Sequence, residues 1–176
     1  MHIYLVSLQT NTVIDSIAVP DTASLNGLAA PPGNSHILLS ADSIDGRIIR
    51  IDTRTKKVSV AIEDEALQPG KDAPLAVGIN GLRTSGDFIY FTNSALGTFV
   101  RVPIDEQGNE TGKIEVIARS PSPGEIYDDF ALDSAGNAYV AVHFFSVLKI
   151  TPDGKHTLLA GGIDSAISTS NLHHSG

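Results

Sequence analysis

The chain has 176 residues, 41% of them hydrophobic and 18% charged, with a net charge of −8 at neutral pH and no cysteine. Without cysteine there is no disulfide, thiol nucleophile or thiolate metal site. The acidic charge is scattered and Lys and Arg are not clustered, which argues against a phosphate-neutralising surface for nucleic acid. No apolar run approaches the ~20 residues of a membrane-spanning helix, so a membrane is not an expected partner either.

Strand patterns dominate in chain order, and no long stretch keeps a helical apolar period. Residues 2–8 and 12–19 read as a hairpin turning at Gln9-Thr10-Asn11. The opening residues lack a basic region followed by an apolar core, so no secretory leader is expected and a cytoplasmic location is. Strands follow near 25–30, 35–42, 46–52 and 57–63. A Pro-, Gly- and Asp-rich connection with the acidic cluster Glu63, Asp64 and Glu65 leads to strands near 78–84, 87–94, 97–103 and 113–119. After Ser120-Pro121-Ser122-Pro123-Gly124 come strands near 127–132, 137–143, 146–151 and 156–160.

These strands form one unit repeated three times, at a spacing of roughly 50 residues. The units open Leu25-Asn26-Gly27-Leu28, Ile79-Asn80-Gly81-Leu82 and Tyr127-Asp128-Asp129-Phe130. Four strands per unit at this period is the signature of a β-propeller blade. The expected fold is all-β, a partial propeller of three complete blades at 23–64, 77–120 and 126–162. Residues 1–22 would end one further blade and 163–176 begin another. Open blade edges predict exposed apolar surface and self-association. A truncated chain is the expected account, and two copies completing a ring or an open sheet assembly are the alternatives.

On the innermost strand of a propeller, Asn26, Asn80 and Asp128 would converge on the central channel. Turns at blade entry would use the same residue types. His143 aligns with Ser43 and Ser94 at the end of the second strand. With Phe144 and Phe145 beside it, it could hydrogen-bond and stack on a substrate, or simply be a satisfied loop residue. His173 and His174 would border the next inner strand. Gly108-Asn109-Glu110-Thr111-Gly112-Lys113 is one residue short of a P-loop, and Asp42-Ser43-Ile44-Asp45-Gly46 lacks calcium-loop spacing, so both read as turns. No Gly-x-Ser-x-Gly nucleophile elbow is present.

The runs Gly78-Ile79-Asn80-Gly81-Leu82 with Ile89-Tyr90-Phe91-Thr92-Asn93-Ser94, and Asp128-Asp129-Phe130-Ala131-Leu132-Asp133 with Gly136-Asn137-Ala138-Tyr139-Val140-Ala141, carry a family likeness. So does Leu25-Asn26-Gly27-Leu28-Ala29. Together they resemble the SMP-30/gluconolactonase-like six-bladed propellers, especially their fungal natural-product branch. The resemblance implies two kinds of chemistry. In the lactonases a divalent ion, often calcium, is held by a Glu of the first blade, an Asn of Asn-Gly-Leu and an Asp opening a later blade. Asn80 and Asp128 match the last two, Asn26 is a loose match to a further Asn near the ion, and the Glu would fall upstream of Met1. Asp128 or Asp129 would then be the base.

Other fungal propellers of this kind guide hetero-Diels–Alder cyclisations without a metal. The leading expectation is such a biosynthetic cyclase with a small-molecule substrate and no cofactor. Asn26, Asn80, Asp128 and His143 would be its polar handles, and Tyr127, Phe130 and Phe144 its walls. The alternatives are a lactone hydrolase of the gluconolactonase type that depends on Ca²⁺ or another divalent cation and uses Asn80 and Asp128, and a non-catalytic truncated propeller or scaffold.

Overall fold

The computed structural model describes residues 1–161 except 72, 74, 123, 124 and 144. Phe144, His173, His174 and the expected further blade at 163–176 therefore lie outside the described residues. Among the described residues there are fourteen strands and no helix. A hairpin of β1 (His2–Ser7) and β2 (Thr12–Ala18) comes first. Blade one is β3 (Leu28–Ala29), β4 (Ile37–Asp42), β5 (Arg47–Asp52) and β6 (Val58–Glu63). Blade two is β7 (Ile79–Ser85), β8 (Phe88–Asn93), β9 (Thr98–Pro103) and β10 (Glu115–Arg119). Blade three is β11 (Ile126–Leu132), β12 (Ala138–His143), β13 (Ser146–Ile150) and β14 (His156–Gly161).

Each blade is a four-stranded sheet whose strands pair in chain order, and every neighbouring pair is antiparallel. The topology follows from short connections, since sequential strands joined by tight turns pair with one another. The fold class expected from the repeat is the one observed. β3 is the exception in length, because regular pairing is confined to Leu28–Ala29. Pro31 and Pro32 then follow and cannot donate to a ladder.

The core lies between blades. Ile37, Leu39, Ala41, Ile48 and Ile62 of blade one pack with Ile79, Leu82, Phe91 and Val100 of blade two. Phe99 and Ala118 of blade two pack with Tyr127, Phe130, Val140 and Leu148 of blade three. Ile17 and Val19 pack with Ile49 and Ile51, seating the first hairpin on blade one. Burying each such aliphatic or aromatic side chain contributes about 1.5–3 kcal/mol, so these interfaces set the blade spacing. The acidic connection after β6 is exposed at Glu63, Asp64 and Glu65 but anchored behind them. Leu67 is fully buried, and Asn93 Nδ2 donates to Ala66 O at 2.9 Å and Gln68 O at 2.8 Å. Apolar side chains stand exposed on both outer flanks, Tyr4, Leu8, Val13 and Ile14 at one and Leu158 and Leu159 at the other. Among the described residues no helix is long and apolar enough to cross a membrane.

Candidate functional site

The three unit openings share one backbone irregularity. In blade two Ile79 pairs with Asn93 and Leu82 with Phe91, leaving Asn80 and Gly81 opposite Thr92 alone. In blade three Tyr127 pairs with Val142 and Phe130 with Val140, leaving Asp128 and Asp129 opposite Ala141. Blade one repeats the arrangement, with Asn26 N donating to Ala41 O at 2.8 Å and Ala41 N to Gly27 O at 3.1 Å. Two residues against one make a β-bulge, which bends the strand and re-aims the side chain it carries. Gly27 and Gly81 have no positive φ, so they are not turn glycines. A Cβ on Gly27 would stand 2.6 Å from Leu82 N, and one on Gly81 would stand 2.5 Å from Asp129 Oδ1 and 2.9 Å from Asp129 Cα. Glycine is required because each innermost strand passes directly against the next.

That approach links the re-aimed side chains in a row. Asn26 Nδ2 donates to Asn80 Oδ1 at 2.5 Å, and Asn80 Nδ2 donates to Asp128 Oδ1 at 2.8 Å and to Ser94 Oγ at 2.9 Å. His143 Nε2 lies 3.1 Å from Asp128 Oδ2. Ser94 Oγ in turn donates to Tyr127 O at 2.6 Å. The direction of the row is dictated by Asp128. An ionised carboxylate only accepts, so Asn80 must turn its amide nitrogen toward it and its oxygen toward Asn26. Both N–H groups of Asn80 and the single proton of Ser94 are thereby spent. Asn80 is buried, whereas the Asp128 and His143 side chains are 39% and 45% exposed. A carboxylate has about four lone-pair positions, so Asp128 retains capacity for further donors.

A hollow of about 290 Å³ adjoins this row, lined by Leu75, Val77, Asn80, Ser94, Ile126 and His143. Its walls are aliphatic and its polar groups sit together. Calcium takes about six to eight oxygen ligands. Asn80 directs nitrogen rather than oxygen at Asp128, and among the described residues no group of three or more His, Cys, Asp or Glu could hold an ion. Asn80 and Asp128 are the side chains here that would offer oxygens to such an ion, Asn80 after turning its amide.

The structure thus brings Asn26, Asn80, Asp128 and His143 together. It does not place Tyr127 and Phe130 as walls. The bulge leaves both on the core side, flanking the two re-aimed aspartates. Tyr127 is fully buried with its hydroxyl 2.8 Å from His156 Nε2, and burial, aided by the nearby charge of Glu125, pushes its phenol above the usual range. Phe130 packs edge-on against Phe99 with centroids 5.0 Å apart. Asp129, the alternative base, is held by Arg83 at 2.7 Å.

The walls that are present come from residues that the repeat did not single out. Leu75, Val77 and Ile126 precede strands or begin them, where no alternating pattern marks them. Ser94 was visible only as the register partner of Ser43 and His143.

No family model matches the chain. Among curated proteins, "Putative hetero-Diels-Alderase asR5" of Sarocladium schorii is 26% identical over 131 residues, covering 69% of this chain and 32% of that protein. The solved structure of regucalcin, a calcium-binding protein from Agrobacterium tumefaciens, matches with a TM-score of 0.57 and 22% identity, over 85% of this chain and 58% of its own. Virginiamycin B lyase from Staphylococcus aureus matches with a TM-score of 0.64 and 14% identity, over 92% and 49%. The chain spans about a third of the curated relative and about half of these solved structures. In fold, it is an arc of a β-propeller like the regucalcin/SMP-30 type; in sequence, it is similar to a fungal protein named for hetero-Diels–Alder chemistry.

Proposed function

We propose that this arc carries the small-molecule site of a propeller cyclase acting on a hetero-Diels–Alder pair without a metal. The observation that carries the reading is the Asp128–His143 pair, held by Asn26, Asn80 and Ser94 at the edge of an aliphatic hollow. The likeness to the Sarocladium schorii protein supports the choice of reaction. In such a cycloaddition a four-atom conjugated system containing a heteroatom meets a two-atom partner. Three π bonds become two σ bonds and one π bond, and no atom or proton leaves. There is little covalent chemistry for the protein to supply. Its contribution is to hold both π faces in a near-attack geometry and to stabilise charge as it develops.

Here Leu75, Val77 and Ile126 would exclude water and press the π faces together. Asp128 would accept a hydrogen bond from a substrate hydroxyl, raising electron density in the π system attached to it. Asn80 and Ser94, whose donors are spent, would position Asp128 rather than touch substrate. His143 would steady the other carboxylate oxygen, so that Asp128 need not reorganise during the reaction.

The test generates an ortho-quinone methide photochemically from 2-hydroxybenzyl alcohol in the presence of the purified chain and 4-vinylphenol, an alkene whose hydroxyl can donate to Asp128. The expected result is an enantiomeric excess that disappears in Asp128→Asn and in His143→Ala. Racemic product with the unmodified chain would sink the proposal. Calcium-dependent hydrolysis of glucono-δ-lactone would replace it with the hydrolase alternative.

A further inference from the structure

Next to the hollow at His143 lies a larger one of about 650 Å³, lined among others by Leu75, Ser94, Ala95, Leu96, Ser120 and Ile126. The two adjoin along Leu75, Ser94 and Ile126, which line both. Their chemistry differs. The larger hollow has an aliphatic side of Leu75, Ala95, Leu96 and Ile126 and a polar side of Ser120, Ser122 and Glu125, and the hydroxyls of Ser94 and Ser120 are engaged. Ser94 donates to Tyr127 O at 2.6 Å, and Ser120 Oγ lies 2.8 Å from Ser122 O and 2.9 Å from Glu125 Oε2. The aliphatic side of this cavity favours hydrocarbon. The smaller hollow has the opposite character at one end, where it is lined by Asn80 and His143, the two side chains that touch the part-exposed carboxylate of Asp128.

We propose that the two hollows form one bipartite site for an elongated molecule with a hydroxyl-bearing head and a hydrocarbon tail. The head, a phenol or enol, donates to Asp128. The tail of several carbons lies along Leu75 and Ile126 into the larger hollow against Ala95 and Leu96. This rests on the reading of Asp128 and His143 given above and adds the substrate class. A carboxylate head is excluded by the charge of Asp128, reinforced by the net charge of −8.

The test measures binding of 4-n-alkylphenols, from methyl to octyl, to the purified chain by calorimetry. Affinity is expected to rise about three- to fourfold per added methylene, as for transfer of CH₂ out of water. Ala95→Trp fills the larger hollow and should flatten that rise while leaving 4-methylphenol unchanged. Leu96→Asp changes a side chain that is 40% exposed, so it tests the same wall with little risk to folding. It should weaken the long-chain phenols at least tenfold. 4-Alkylbenzoates with the same tails should bind at least tenfold more weakly than the phenols.

An affinity independent of chain length overturns the tail assignment, and so does a rise that survives both variants. Phenol binding that ignores Asp128→Asn while still responding to Ala95→Trp overturns the head assignment, and with it the central-site reading. The two failures are therefore distinguishable.

Discussion

The junction between blades one and two and the junction between blades two and three solve one geometric problem in different ways. At the first, Gly27 lets the backbone of β3 pass against that of β7, and the close atoms are Leu82 N, Leu82 Cβ and Asn80 O. At the second, Gly81 does the same for β11, but the bulge opposite it is Asp128-Asp129 instead of Asn-Gly. The first junction is closed by apolar packing, backbone contact, the Asn26–Asn80 amide hydrogen bond and Thr84 Oγ1 donating to Ala30 O at 2.8 Å. The second adds charge. Arg83 holds Asp129, Thr92 Oγ1 donates to Asp128 O, and His143 meets Asp128. Blade entry is thus a conserved backbone device within this chain, onto which the third repeat has placed the ionisable groups that a site needs.

The largest effect that would break the comparison is at the shared glycines. Gly81→Val should destabilise the chain by about 3 kcal/mol or more, because Asp129 Cα is backbone and cannot step aside. Gly27→Val should cost a similar amount against Leu82 N, and the denaturation midpoints of the two should match. A tolerated valine at either site would mean the strands do not approach as described.

Asn80 joins both junctions, so Asn80→Leu should cost about 2–4 kcal/mol by leaving Asp128 and Ser94 short of a donor. Denaturant unfolding at neutral pH reads this. Asn80→Asp sharpens the point further. Two adjacent carboxylates would repel, and millimolar calcium should then raise the melting temperature of that variant while leaving the parent unchanged.

Tyr127 distinguishes the second junction by pH. Burial, first, and the charge of Glu125, second, raise its folded-state pKa above the unfolded value of about 10. The native state then holds the proton where the unfolded state releases it. Stability is unaffected below about pH 10 and falls as pH rises beyond it. Tyr127→Phe should remove this alkaline loss, seen as an unfolding midpoint displaced to higher pH, while giving up the bond to His156 at neutral pH.

The smallest effect is at the surface. The Arg83 and Asp129 side chains are 38% and 54% exposed, so Arg83→Met should cost under about 1 kcal/mol, and less at high salt. A larger loss would show that charge, and not the glycine contact, closes the second junction.

Most of the strand positions were legible because apolar alternation and turn residues mark antiparallel strands locally. β5, β6, β8 and β9 lie where residues 46–52, 57–63, 87–94 and 97–103 predicted. The polar register Asn26, Asn80 and Asp128 was legible for the same reason, since a repeat aligns equivalent positions whatever their role. The fate of the neighbours was not. Tyr127 and Phe130 look like pocket walls in sequence because they flank Asp128, yet two residues opposite one turn both into the core.

By itself, then, the sequence determined the all-β repeat and the three positions that open it, because strand alternation and turn chemistry act over a few residues. Only the tertiary structure decided that those positions are bulges and that glycine serves contact rather than turning. It also decided that Ser94 and His143 complete the row and that Leu75, Val77 and Ile126 make its walls. These depend on how closely one blade packs against the next, and that distance is set by side chains about fifty residues apart.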